Sequence, residues 1–214
     1  MANMQRLHFT NVNSTIPYFG PILYFLIRQF TCDRVLEIGH AEGYTSFYMA
    51  QGVKDNAIRF GLKDNMYFGI DIVQTESTRE KLVAAGLPVT VENKDSMTLS
   101  KDWHPEVTFD LIFQDGAHDL EHIMYEWEVL WPRLRTGGGG YFLMHDVYGP
   151  GELGCQAVLD KIRREKIPVE FIRLGGMYGL LIIRKLEGYD PRLWKWEVPV
   201  YPQFTKEEVE KNAL

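Results

Sequence analysis

Only two cysteines, Cys32 and Cys155, occur in the 214 residues, and their spacing fits neither a zinc site nor a disulfide framework. With no signal peptide to read at the start, a reduced, cytoplasmic setting with two buried thiols is the expectation. No apolar run approaches the roughly 20 residues that a bilayer requires. The richest early stretch, Ile16 to Phe30, is interrupted by Pro17, Gly20, Pro21 and Arg28 and reads as a helix within an N-terminal segment, 1–33, packing on the domain that follows. Positive charge is in deficit as well. Against 29 acids stand 23 lysines and arginines, a net charge of −6, so there is no field to attract a phosphate backbone and nucleic acid is a disfavoured partner. The basic cluster Lys161, Arg163, Arg164 and Lys166 reads as the solvated face of a helix. Internal repeats are missing, and the glycine run 137–140 is the one low-complexity stretch.

What is present is alternation. Short β-branched or aromatic runs at 34–39, 67–72, 89–93, 110–115 and 141–146 are separated by helical patterns, which is the signature of βαβ units and a parallel sheet. Between the fourth and fifth runs, Leu120, Ile123, Met124, Trp127, Leu130, Trp131 and Leu134 recur at spacings of three and four and mark an apolar helical stripe that Pro132 kinks or ends. Two further runs, 169–174 and 180–186, follow a basic helix at about 154–166. Only Gly175 to Gly179 separates them, too short for a parallel crossover, so they should pair as an antiparallel hairpin. The expected fold is α/β: a doubly wound, mostly parallel seven-stranded sheet over 34–186 that ends in that hairpin. Residues 51–66 read as an inserted loop. The tail, 187–214, is left with three roles: covering the site, meeting a second subunit of a homo-oligomer, or wrapping the surface.

In open parallel sheets ligands bind beyond the carboxyl ends of the strands. Each of the first five predicted strands ends in or is closely followed by an acid there: Glu37, Asp71, Asp95, Asp115 and Asp146. One such acid is commonly a turn or helix cap; five converging on one edge point to a site. The first loop runs from Glu37 through Gly39 and Gly43 to Thr45 and Ser46, with glycines where backbone must come close to a ligand and a helix N-terminus able to receive a carboxylate. Ala41 and Glu42 stand where a pyrophosphate loop needs glycine and no charge, so a phosphate-free cofactor fits better. Asp71 is placed to accept from both hydroxyls of a ribose. Asp95 and Ser96 can meet an adenine edge, or Asp95 can serve as a helix cap.

The string VLEIGHAEGYTS resembles the first motif of class I S-adenosylmethionine-dependent methyltransferases, and FDLIFQDGAHDLEH followed by RLRTGGGGYFLMHD is similar to the fourth and fifth strand motifs of their small-molecule O-methyltransferase branch, the cephalosporin hydroxylase-like and macrolide sugar methyltransferases. The resemblance runs from about Arg34 to Lys185. It implies a Rossmann-like methyltransferase fold and S-adenosylmethionine as cofactor, with Glu37, Gly39 and Gly43 shaping the methionine pocket, Asp71 on the ribose, and Asp95 with Ser96 near adenine. Many class I enzymes have a glycine where this chain has Ala41. The acceptor is expected to be a small molecule.

A hydroxyl acceptor must lose its proton as the methyl group arrives, so a base or a metal is needed. Asp115 and Asp146, ending neighbouring strands, offer two hard oxygen donors suited to Mg²⁺ or another divalent cation, as the related metal-dependent enzymes imply. His118 and His145, beside those acids, are with Asp115 the candidate catalytic groups, and His145 is also a candidate ligand. His122 reads as an exposed helix position; His8, His40 and His104 have no constellation around them. Tyr44, Trp103 and Tyr148 are candidates to face a sulfonium, and the loop Tyr148 to Gly154 is where an acceptor would be gripped. Two competing readings stay open: a nicotinamide-dependent oxidoreductase on a Rossmann domain, and a non-methylating relative that serves as an accessory protein.

Overall fold

Strands β1 (Arg34–Ile38), β2 (Met66–Asp71), β3 (Val89–Asn93), β4 (Leu111–Gln114) and β5 (Gly140–His145) run parallel, and β6 (Val169–Leu174) and β7 (Leu180–Lys185) complete one sheet in the order β3-β2-β1-β4-β5-β7-β6. The computed structural model describes residues 19–73, 75–100, 102–175 and 178–188; His8, the start of the N-terminal segment and the tail beyond 188 lie outside them. The short link between the last two strands has the predicted outcome. β6 and β7 pair antiparallel, and β7 also pairs antiparallel with β5, so the final strand lies between its two neighbours.

Alternate residues of each strand feed two cores, one on either face. Leu36, Ile38, Ile112, Phe142 and Met144 meet helices α4 (Leu120–Leu130) and α5 (Glu152–Glu165). Val35, Tyr67, Leu111, Phe113 and Leu143 meet α1 (Phe19–Gln29), α2 (Tyr44–Phe60) and α3 (Thr75–Ala84). Buried runs on both faces explain why the central strands read as continuous apolar segments rather than alternating ones. Pro132 sits in a 3-10 turn, Trp131–Arg133, directly after α4, and there the helix ends. The Trp127 ring stacks on Trp131 at 4.3 Å and meets Phe142 edge-on at 5.2 Å.

The expected insertion at 51–66 is not a loop. Residues up to Phe60 continue α2, and only 61–65 connect to β2. Met49, Ala50, Val53 and Asn56 form its buried face, and the polar Gln51, Lys54 and Asp55 that disguised it lie on the other sides. Asn56 is completely buried and donates to the backbone carbonyls of Ile27 and Cys32 at 2.9 and 2.8 Å, binding α1 to α2. Both cysteines are buried free thiols. The basic cluster lies along and just beyond α5, paired with acids: Lys161 with Glu128 and Glu165, Arg163 with Asp160, Arg164 with Glu165. No helix among the described residues is long and apolar enough to cross a membrane.

Candidate active site

The carboxyl ends of β1 to β4 surround a cleft of about 330 Å³. Gly39 and Ala41 come from the first loop, Asp71 and Ile72 from the second, Lys94, Asp95 and Ser96 from the third, and Asp115 to Ala117 from the fourth. Of the residues expected to bind cofactor, Gly39, Asp71, Asp95 and Ser96 line this cleft; Glu37 and Gly43 do not.

Glu37 is completely buried beneath the loop. Its carboxylate accepts from the hydroxyls of Thr45 and Tyr67, and from Ser46 at 2.5 Å. Burial pushes its pKa up to about 7 against the pull of those three donors. It therefore joins the end of β1 to the start of α2 and to β2, shaping the loop from below. The glycines answer a protein constraint too. Gly39 has φ +81°, and a Cβ there would lie 2.4 Å from the Asp115 carbonyl oxygen; Gly43 has φ +85°, and its Cβ would strike the Thr78 methyl at 2.6 Å. Neighbouring chain, as much as any ligand, demands glycine at both positions. Ala41 itself has φ +43°, a left-handed conformation that accounts for the glycine the resemblance leads one to expect there.

Asp71 secures two loops. Oδ2 accepts from the Ala41 backbone N–H at 2.8 Å and Oδ1 from Val73 at 2.9 Å. A carboxylate oxygen has two lone pairs, so each retains one for the cleft. Asp95 combines the two roles weighed for it: Oδ1 caps the 3-10 turn Ser96–Thr98 by accepting from Met97 at 2.9 Å, and the residue lines the cleft.

A second constellation adjoins the first. Asp115, His118 and Asp146 each bring a ligand atom within 4.8 Å of the others. His118 Nε2 lies 3.0 Å from Asp146 Oδ2, and His145 Nδ1 lies 2.8 Å from Asp115 Oδ1 and 3.1 Å from Asp146 Oδ1. Consecutive strand residues ordinarily project to opposite faces, yet His145 and Asp146 reach one cluster. Asp146 adopts φ +59°, and this left-handed turn at the strand end redirects its carboxylate. His118 Nδ1 and His145 Nε2 are buried without hydrogen-bond partners, and the His145 ring stands edge-on to Phe19 of α1 at 4.7 Å. Burial opposes charge on His145, but Asp115 and Asp146 prevail and raise its pKa; burial raises that of Asp115 against the pull of the same imidazole.

His118, foreseen as a proton acceptor, thus shares the donor set with Asp115 and Asp146. His122 is half-buried rather than exposed: it lines the cleft, and its Nδ1 meets the carboxylate of Asp119, the α4 N-cap, at 2.7 Å. Ile72, Lys94 and Gly116 were not anticipated. His104, which had no sequence partner, pairs with Glu92 at 2.8 Å.

A family model described as a methyltransferase domain matches residues 36–147. No curated protein sequence matches the chain. Among solved structures, the O-methyltransferase from Bacillus cereus in complex with SAH is 17% identical, has a TM-score of 0.66, and aligns over 82% of this chain and 84% of its own. The O-methyltransferase TomG from Streptomyces achromogenes, involved in tomaymycin synthesis and in complex with SAM, is 20% identical with a TM-score of 0.58, covering 78% and 79%. The SAH-bound Podospora anserina methyltransferase PaMTH1 is 19% identical with a TM-score of 0.59, covering 79% and 78%.

Proposed function

Because the chain belongs to the methyltransferase-domain family, we propose that it transfers the methyl group of S-adenosylmethionine to a hydroxyl of a small molecule, with a divalent cation beside the transfer site. The observation that carries this reading is the position of Asp115, which both lines the nucleoside-sized cleft and belongs to the adjoining Asp115, His118, Asp146 cluster. A cofactor in the cleft would therefore present its reactive end to the cluster.

The residues fit both groups. Asp71 offers a free lone pair on each oxygen to a ribose diol. Two carboxylates and an imidazole with an orphaned, buried second nitrogen suit a hard or borderline cation such as Mg²⁺ or Mn²⁺. When bound, the cofactor supplies an electrophilic methyl group, and the cation would make the acceptor hydroxyl easier to deprotonate. Asp115 accepts the Nδ1–H of His145, which fixes the tautomer and leaves Nε2 as the proton acceptor, while Asp146 Oδ1, 3.1 Å from Nδ1, adds its negative charge. The hydroxyl proton of the acceptor would go to His145, whose charged form the Asp115 carboxylate stabilises. Phe19 of α1 packs edge-on against the His145 ring at 4.7 Å and supports its orientation.

Calorimetry with S-adenosylhomocysteine and with NAD⁺ tests the reading. Heat from the first that is abolished in Asp71→Ala supports it; heat from NAD⁺ alone would transfer the chain to the oxidoreductase class.

A further inference from the structure

Behind the cleft lies a carboxyl group that neither the cofactor contacts nor the acid cluster employs. Glu126 is on α4 and is completely buried, with both side-chain oxygens lacking a hydrogen-bond partner of full geometry. Gln114, at the end of β4 and 1% exposed, has an equally orphaned Oε1, while its amide nitrogen donates to the Ala117 carbonyl in the cleft wall at 3.3 Å. Helix α4 packs against the 3-10 turn Ser96–Thr98, whose Ser96 lines the cleft, and the Ser96 and Gln114 side chains both favour the charged form of the Glu126 carboxyl. We infer that Glu126 is a positioning residue of the purine subsite, holding the Ser96 hydroxyl so that its oxygen accepts from the exocyclic amine of adenine and selects adenine over a 6-oxo purine.

The inference rests on the proposed placement of the nucleoside in this cleft. Its chemistry follows from counting donors. Burial pushes the Glu126 carboxyl up to about 7, with His122 one turn earlier pulling it down and Asp119 opposing that pull, while Asp95 bears on His122 from across the cleft. In its protonated form, which burial favours, Glu126 would donate its one proton to Gln114 Oε1, satisfying an acceptor that otherwise has no partner. Its carbonyl oxygen then accepts the Ser96 hydroxyl proton. With that proton committed, Ser96 offers only lone pairs to the cleft. An amino group meets them as a donor; the carbonyl of hypoxanthine opposes them as an acceptor, leaving a buried pair unsatisfied.

The test compares S-adenosylhomocysteine with S-inosylhomocysteine by calorimetry on the full chain. The wild type should prefer the adenosyl compound by about 10- to 100-fold, the range expected for one mismatched buried hydrogen bond. Glu126→Leu should reduce that preference below about threefold and raise the KM for S-adenosylmethionine while leaving kcat at saturation unchanged. Glu126→Gln, whose amide can still donate to Gln114 and accept from Ser96, should restore the preference, and Ser96→Ala should abolish it. Retention of the full preference in Glu126→Leu or Ser96→Ala overturns the inference, as does failure of Glu126→Gln to restore it. If Glu126→Leu does not fold, Ser96→Ala and Glu126→Gln decide. Asp71→Ala separates the two levels: unweakened binding there refutes the placement of the nucleoside, whereas weakened binding with preference intact in Ser96→Ala refutes only the relay.

Discussion

Replacing Glu37 with glutamine should alter how stability depends on pH more than it alters stability at any one pH. The carboxyl is completely buried, and its pKa is raised from 4.5 to about 7. An acid with a raised pKa binds its proton more tightly in the folded chain than in the unfolded one. Folding is therefore unpenalised by this group below about pH 4.5, loses stability as pH climbs from there, and levels off above about 7. Each tenfold in proton affinity is worth about 1.4 kcal/mol, so the full swing is about 3 kcal/mol for a shift of that size. Glutamine has the same shape and no charge, and it removes the swing. Its amide nitrogen cannot accept from the hydroxyls of Thr45, Ser46 and Tyr67 that face the carboxylate, at a cost of about 1–3 kcal/mol for a donor left unsatisfied. At pH 5 the variant should thus be less stable than wild type by up to about 2 kcal/mol, and at pH 8, where wild type has lost about 3 kcal/mol, it should be as stable as wild type or more stable by up to about 2 kcal/mol. Urea denaturation of both proteins at pH 5, 6, 7 and 8 measures this, and subtracting the curves removes other titrating groups such as Asp110. Parallel curves across the range would refute the argument, because they would mean that the buried carboxyl does not change its protonation on folding.

Asp115→Asn and Asp146→Asn should each lower kcat for methyl transfer by about 10²–10⁴-fold and abolish its dependence on added Mg²⁺ or Mn²⁺, checked by titrating metal into chelator-treated enzyme. Gly39→Ala should cost at least about 2 kcal/mol, since its Cβ would lie 2.4 Å from a backbone oxygen at φ +81°, whereas Ala41→Gly, relieving φ +43°, should gain up to about 1 kcal/mol; thermal melts should move in opposite directions. Trp127→Ala removes a ring packed against Trp131 and Phe142 and should destabilise by about 3–5 kcal/mol, read from the shift in denaturation midpoint.

Strand positions were legible in the sequence because each is a short apolar run ended by glycine or an acid, and the closing hairpin because a five-residue link admits no crossover. The second half of helix α2 escaped notice because its buried face there uses Gly52, Val53 and Asn56 where a stripe of leucines is usually sought. At the site, the sequence marks which acids terminate strands, but not which way each one faces. Glu37 and Asp71 both occur at strand ends, yet one is consumed by three hydroxyls under the loop and the other opens on the cleft. The meeting of His145 with Asp146 depends on a single left-handed residue that no periodicity announces. Glu126 did carry a signal: it is an acid on the same helical face as Ile123 and Trp127, where only a group with a task is kept from water.

The interior place of β7 has a consequence for biosynthesis. A ribosome working from the N-terminus delivers β5 and β6 before the strand that must lie between them exists. Until residue 185 has emerged from the exit tunnel, β5 has an unpaired margin and β6, whose Phe171 and Ile172 stay 47% and 54% exposed even in the finished fold, has no neighbour at all. The last strand to be made acts as the keystone, and a nascent chain that stalls just short of it presents two sticky margins to whatever chaperone or sister chain is at hand.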